Sequence, residues 1–509
     1  MKDTVNHQML LPEVKAFLSK HHGHFIGGHW LAGSKDNVLE IKSPGTGKVI
    51  GSVAFADTAE VDLAVAAARK AFEGSEWSQM LPNDRAALLF KLADTLELHG
   101  QALSQIETID AGISLRLMST IGIKLAADQL RYFAGWVTKI HGETISNSRP
   151  RAEGRDFLTY SLKEPVGVVG QIIPWNFPLG MAIQKLAPAL ASGCTVVMKP
   201  AEETPLSALY LANLIDEVGF PAGVFNLING YGRTTGAAIT SHPDIDKIAF
   251  TGSTDVGKEI ICAASKNLKK VTLELGGKSP VIILPDANLS EAIPAAARAI
   301  FFLSGQNCMA GSRLFVHEDV YDVVLDGLVK LTENMTVGSD FNGDSFDNTY
   351  DIGPLISSRQ LMRVLSYIDI GVAEGARLLT GGKFTTNQQG YFVKPTIFAD
   401  CTTDMRIVRE EIFGPVLTVQ KFNSTDVRAI ADLANDCIYG LSASVWTQDI
   451  AKGHKIAAKI KSGQVGINIH AAIDVAVPFG GYKQSGWGRE FGREGLEAYL
   501  ITKAITAYI

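Results

Sequence analysis

Apolar positions follow two rhythms along this chain. At residues 59–72 and 84–107 they recur at helical spacing, and Pro82-Asn83-Asp84 marks a helix start. Residues 117–135 form a further amphipathic stretch. From Val166 the pattern changes to short, nearly unbroken apolar runs. Residues 166–173, 194–198, 224–228 and 248–250 read as buried strands, with helices between them at 181–192, 205–218 and 256–263. Strand and helix alternating at this spacing predict an α/β fold, a parallel sheet covered on both faces. Such a sheet binds ligands beyond the carboxyl ends of its strands. Two more runs, 271–275 and 281–284, bracket Gly276-Gly277, and a second α/β unit follows from about 277 to 484.

The remaining segments are less regular. Residues 1–24 read as a loose helical arm, and 25–30 as a hairpin turning at Gly27-Gly28. Residues 140–160 are polar, with Asn147, Arg149, Pro150 and Arg151, and then alternate like a strand from 156 to 161. This reads as a linker or a sheet edge. Residues 340–354 form a polar loop, and Gly381-Gly382 and Gly390 mark turns. The C-terminal tail alternates poorly but carries Leu500, Ile501, Ile505 and Ile509.

Composition narrows the class. A chain of 509 residues, 46% apolar, has room for two or three domains with sizeable cores. A formal charge of -6 lacks the basic footprint of a nucleic-acid binder. The five cysteines, at 194, 262, 308, 401 and 437, are odd in number and far apart. A disulfide scaffold is not expected, and a reducing compartment suits a free thiol. The first residues are too broken by charge for a signal peptide, and no apolar run is long enough to span a bilayer. The expectation is a cytoplasmic protein. His21, His22, His24 and His29 cluster, but without an evident carboxylate or thiolate partner they read as an exposed basic turn. No metal site is expected.

One cysteine stands out chemically. Residues 301–313, FFLSGQNCMAGSR, set Cys308 among small and amide-bearing residues, with the apolar run 295–303 leading in. A buried structural cysteine is one reading. The other is a nucleophile, which needs a lowered pKa or a base to take its proton. Four other features carry similar pairs of readings. Gly252 to Gly257 follows a strand and opens a helix, a place for a pyrophosphate, although the spacing is not GxGxxG. Lys199 and Glu202 lie just past a strand, either in a solvated loop or beside a ribose. Asn176, framed by Pro174-Trp175 and Phe177-Pro178, is a helix cap or a functional amide. Glu274 is a solvated edge residue or a functional carboxylate.

Seven blocks in order resemble the aldehyde dehydrogenase family. They are PWNFP at 174–178, KPAEETP at 199–205, FTGSTDVG at 250–257, LELGGKSP at 273–280, the Cys308 segment, EEIFGPV at 410–416 and PFGGYKQSGWGRE at 478–490. The resemblance runs from about Phe25 to about Tyr508. It implies an NAD-binding domain of Rossmann type at 1–140 and 161–276, an α/β catalytic domain at 277–484, and an oligomerisation arm and tail at 141–160 and 485–509. It implies NAD as cofactor and a homo-oligomer, a tetramer or a dimer. Cys308 would be the nucleophile, Asn176 and the Cys308 backbone N–H the oxyanion donors, and Glu274 the base that activates water. Glu490 would relay the proton from Glu274, with Lys185 beneath the site; each could equally be an ordinary ion-pair partner. Trp175, Lys199, Glu202, Gly252, Ser253, Gly257, Glu411 and Phe413 would hold the cofactor.

The same resemblance points to a substrate pocket of Phe177, Gln184, Phe301, Phe302, Met309, Ile473 and Phe479. Gln184, Met309 and Ile473 stand where well-known relatives carry Trp, Cys and Phe. The stretches 132–143 and 469–490 are similar to the phenylacetaldehyde dehydrogenase branch. With the aromatic lining they favour an aryl or arylalkyl aldehyde. A broad aliphatic specificity is the alternative, and amino aldehydes stay open. Release of the acyl group to CoA would not need Glu274, and a purely structural role would need neither Glu274 nor Cys308.

Overall fold

The computed structural model describes residues 8–33, 37–74, 76–149, 156–347, 350–383 and 389–509. Residues 1–7 of the expected arm, Pro150, Arg151 and residues 348–349 lie outside the described residues. Two large sheets organise the chain. The first runs, edge to edge, Gly486–Trp487, Lys270–Glu274, Lys247–Thr251, Val168–Ile172, Thr195–Lys199, Phe225–Leu227, His24–Ile26 and His29–Leu31. Its five central strands are parallel. Their Val- and Ile-rich composition follows from burial on both faces, where β-branched side chains pack well.

Chain order reverses between Val168–Ile172 and Lys247–Thr251, which is the topological switch of a Rossmann-type sheet. Asn176, Lys199, Gly252 and Glu274 all lie at or just past the carboxyl ends of these strands. The second sheet runs Arg377–Thr380, Thr396–Ala399, Val416–Phe422, Arg313–His317, Pro280–Ile283, Ser442–Trp446 and Gln464–Ile467, parallel except for its first pair. Cys308, Glu411 and Gly277 precede the amino ends of its strands. The site therefore lies where the carboxyl ends of one sheet meet the amino ends of the other.

A third, three-stranded sheet joins Thr144–Ile145, Phe157–Pro165 and Leu500–Tyr508. The tail pairs with Phe157–Pro165 antiparallel over nine residues. The tail's weak alternation fits a strand exposed along much of both faces. The hairpin at Gly27-Gly28 forms as expected, both glycines taking positive φ (60° and 80°), as this tight turn requires.

Several elements differ from the expectation. The stretch 84–107 is two helices, Pro82–Leu98 and Gly100–Ala111, broken at His99 and Gly100. The amphipathic stretch after it contains a π-helical turn at Met118–Gly122. The N-terminal segment is less arm-like than expected. Its helix, Pro12–Leu18, packs on the main core, and a short strand, Gln8–Met9, pairs with Ser345–Phe346 inside the polar loop.

His22 and His24 are buried, not part of an exposed basic turn; only His21 and His29 are exposed. A ring nitrogen of His22 bonds the Phe17 carbonyl, and His24 Nδ1 accepts from the Asn229 N–H. Burial pushes His24 down to about 4, so it is a neutral packing residue.

Candidate active site

Helix Pro178–Ser192 carries one wall of the site. Glu107, buried in a neighbouring helix, accepts from the N–H of Leu179 and so fixes this helix's start. Burial raises that carboxyl to about 7. Asn176, just before the helix, donates one amide N–H to the Gln306 carbonyl at 2.9 Å. An amide nitrogen has two hydrogens, so the second stays available to a developing oxyanion.

The Cys308 loop is held by unusual backbone. Leu303, Ser304 and Gly305 all take left-handed φ (52°, 57° and 71°). A Cβ on Gly305 would stand 2.1 Å from the Gly414 carbonyl oxygen, so glycine is obligatory there. Gln306 accepts from Ile356 N–H through its side-chain oxygen and locks the loop to the second sheet's connections. Cys308 is half-buried beside a small apolar group of Met309, Leu441, Phe479 and Phe491. Burial, then the carboxyls of Glu411 and Glu274, push its thiol well above the usual range. The thiol thus keeps its proton until a base removes it.

Glu274 ends the strand Lys270–Glu274 and is buried, which removes the reading of a solvated edge residue. Its Oε2 has no hydrogen-bond partner among the described residues. A Cβ on Gly480 would stand 2.9 Å from Oε1, so the glycine leaves that oxygen room. Burial first, and then Glu490, raise the Glu274 carboxyl well above the carboxylate range. Glu490 itself is clamped by the Lys185 ammonium on one oxygen and the Gln184 amide on the other.

Glu411 and Phe413 sit on a loop gripped from helix Ser358–Ala373. Arg363 donates to the Glu411 carbonyl at 2.6 Å, and Gln360 to the Phe413 carbonyl at 2.7 Å. Glu411 Oε1 accepts from the Gly277 N–H at 2.8 Å, and burial raises this carboxyl to about 7. Its other oxygen remains to receive a hydroxyl. Phe413 meets the Trp175 ring edge-on at 5.2 Å. Lys199 is buried at the end of its strand, donating to the Pro200 carbonyl, with Glu202 3.6 Å away and partly exposed. Ser253 caps helix Thr254–Ala264. Gly252 leaves no room for a side chain, since a Cβ there would stand 2.4 Å from the Phe250 ring.

Some placements correct the expectation. Gly257 is buried one turn inside its helix, where a Cβ would meet Leu275 at 2.7 Å, so it serves close helix–strand packing and not cofactor contact. Phe301 faces the core of the second sheet, packed with Ile300 and Leu314, away from the site. Ile473, 40% accessible, lies on the loop whose Ala471 and Val475 pack beside Cys308. Gln184 is turned to Glu490 and does not form an apolar wall. Phe302, 43% accessible, lines a cavity of about 300 Å³ with Trp175 and Asn176. Phe177 packs over Gly180, and Phe479 and Met309 pack beside Cys308.

Sequence reasoning missed the supports: Gln306, Gln360, Arg363 and Glu107 act through backbone groups far away in the chain. It also missed His470, whose Nε2 bonds the Met309 carbonyl at 2.8 Å. Among the described residues no group of three or more His, Cys, Asp or Glu is placed to hold a metal.

The profile of the family described as "Aldehyde dehydrogenase family" matches residues 30–505. The chain belongs to the aldehyde dehydrogenase family. It is 46% identical to the human "Aldehyde dehydrogenase, mitochondrial" over 487 residues, covering 95% of this chain and 92% of that protein. An NAD+ complex of aldehyde dehydrogenase from Bacillus cereus superposes with a TM-score of 0.94 at 48% identity, covering 99% of this chain and all of that one. Betaine aldehyde dehydrogenase from Staphylococcus aureus, also with NAD+, gives 0.92 at 39% identity over 98% and 97%. This aldehyde dehydrogenase is an NAD-dependent enzyme that oxidises an aldehyde to the carboxylic acid through its catalytic cysteine.

The NAD site is consistent with the residues present. The Lys199 amine and the Glu202 carboxylate offer a donor and an acceptor to ribose hydroxyls, and the capped helix start at Ser253 suits a pyrophosphate. Among the described residues no helix is long and apolar enough to cross a membrane.

Proposed function

We propose that the enzyme is a broad-specificity aldehyde dehydrogenase for uncharged aldehydes, aliphatic ones included. The observation that carries this reading is the lining at Cys308: Met309, Leu441, Phe479 and Phe491, with Ala471 and Val475 beside them. This lining is apolar but not a continuous aromatic wall, because Phe301 packs into the second sheet's core and only Phe479 and Phe491 of the group at Cys308 are aromatic. An apolar pocket separates substrates by only about 1–3 kcal/mol per methylene, so such a site is tolerant. A charged amino aldehyde would lose hydration without a designated partner. The relatives include a mitochondrial aldehyde dehydrogenase and a betaine aldehyde dehydrogenase, a range that supports breadth over an aromatic preference.

The residues divide the work as follows. The Cys308 sulfur, once deprotonated, adds to the aldehyde carbon. Asn176 and the Cys308 N–H stabilise the oxyanion, a pair in which one donor is worth about 3–4 kcal/mol. NAD, when bound, would supply the hydride acceptor, so the acyl group would stay on the Cys308 sulfur. Glu274 then takes a proton from water as it attacks the thioester, and the Glu490–Lys185 pair receives the proton in turn.

The test is a panel of kcat/KM values for acetaldehyde, hexanal, benzaldehyde, phenylacetaldehyde and betaine aldehyde. Hexanal within about tenfold of phenylacetaldehyde is expected, since a tenfold ratio is only 1.4 kcal/mol. A preference of a thousandfold for one compound would replace breadth with a dedicated substrate.

We also propose that the enzyme is a homo-oligomer, a tetramer, built through the three-stranded arm sheet. Ile145, Leu158, Leu162, Ile501 and Ile509 all lie exposed on it in the single chain. An apolar surface of this kind favours burial against a second copy. Sedimentation at micromolar concentration is expected to show the tetramer, and an active monomer as the sole species would refute the proposal.

A further inference from the structure

Gln184 is engaged in a way its position in the chain does not suggest. It is buried on helix Pro178–Ser192, and its amide nitrogen donates to Glu490 Oε2. Lys185, the next residue, donates to Oε1 of the same carboxylate. The backbone of Glu490 is pinned as well: its N–H and carbonyl exchange hydrogen bonds with Phe479, each 2.7 Å. Close enough to interact with it electrostatically stands Glu274, whose Oε2 has no hydrogen-bond partner among the described residues.

We propose that Gln184 is a positioning residue for proton release during thioester hydrolysis, holding the Glu490 carboxylate in one rotamer near Glu274. The proposal rests on reading Glu490 as the relay group.

The step balances as follows. Water oxygen bonds to the acyl carbon while Glu274 takes one water proton. The tetrahedral species collapses, the C–S bond breaks, and its electron pair returns to the Cys308 sulfur. The proton on Glu274 passes to Glu490 and from there toward solvent, so Glu274 is again a carboxylate for the next turnover.

A neutral amide suits the position facing Lys185. It holds one carboxylate oxygen of Glu490 by a hydrogen bond without adding a second positive charge. The other charged or titratable groups around this carboxylate are Lys185 on the same helix, Arg489 beside it, Lys247 on the neighbouring strand, Tyr499 from the tail and Glu274 itself. All of them remain when Gln184 alone is changed, so a change in turnover reports the amide.

The experiment uses the full-length enzyme with NAD and hexanal. Gln184→Met fills similar space without a donor. Loss of the donor frees the Glu490 side chain to leave that rotamer, so steady-state turnover should fall about tenfold, the scale expected for a lost hydrogen bond to a charged group. The NADH burst, which precedes hydrolysis, and the aldehyde KM should stay the same.

In a Glu490→Gln background, Gln184→Met should add less than about twofold, because a residue acting only through Glu490 is not additive with its loss. Rates expressed per burst site are insensitive to partial misfolding, and Gln184→Leu provides a second variant expected to behave alike. A changed KM pattern across the aldehyde panel with unchanged steady-state turnover would make Gln184 a pocket wall and overturn the proposal. So would a full effect persisting in the Glu490→Gln background. Normal hydrolysis by Glu490→Gln alone would instead remove the relay reading on which the proposal stands.

Discussion

Replacing Cys308 with alanine is expected to abolish aldehyde oxidation, with a loss in kcat on the order of 10⁶, the scale seen when a covalent nucleophile is deleted. The reason is chemical. Hydride leaves the aldehyde carbon only after a nucleophile has made it tetrahedral, and no other cysteine stands in the site: Cys194 and Cys401 are buried elsewhere, Cys262 is exposed on its helix, and Cys437 lies between strands of the second sheet. Folding should be little affected, since the half-buried sulfur makes no strong bond, only a 3.9 Å contact with the Asn307 side-chain oxygen. Calorimetric titration with NAD is expected to give near wild-type affinity. Purified Cys308→Ala turning over within a hundredfold of the parent would refute the nucleophile assignment.

The parallel sheets were legible because burial on both faces leaves an unmistakable mark. Residues 166–173 and 194–198 are almost wholly apolar, and they become adjacent strands Val168–Ile172 and Thr195–Lys199. The Cys308 loop was legible for a related reason. Its small residues answer to a backbone so close-packed that a Cβ at Gly305 would collide with another chain segment. Both signals are local, and local signals survive in a linear string.

What failed was any inference about what lies across from a side chain. Gln184 is an ordinary polar position on an apolar helix until Glu490, more than three hundred residues later in the chain, arrives to accept its N–H. Phe301 immediately precedes Phe302, yet one packs into the second sheet's core and the other reaches the cavity. The kink at Leu303 and Ser304, which turns the chain there, involves no Gly or Pro before Gly305. His22 and His24 looked like a charged surface cluster because four histidines crowd together. Burial makes His24 neutral, and only the strand partner of each segment reveals that burial.

Glu274→Gln is expected to leave the first turnover intact and stall the second. The NADH burst should remain near one per active site, while steady-state turnover falls by 10² to 10⁴, the usual worth of a general base. In the parent enzyme, burial and Glu490 both favour the protonated acid of Glu274. The base form therefore accumulates as pH rises, and turnover should climb with pH above the ordinary carboxylate range before levelling. The thiol of Cys308, also pushed up, adds to the same trend. Stability should move the other way. Glu274 binds its proton more tightly folded than unfolded, so between the ordinary carboxylate pKa and the raised one the folded state holds more protons. Stability contributed at this position thus falls as pH rises across that window. The glutamine variant carries no such titration, so its Tm advantage over the parent should grow from acid to alkaline buffer. A variant with full steady-state turnover would show that water is activated elsewhere. A Tm difference that does not change with pH would show that Glu274 is not held protonated by its surroundings.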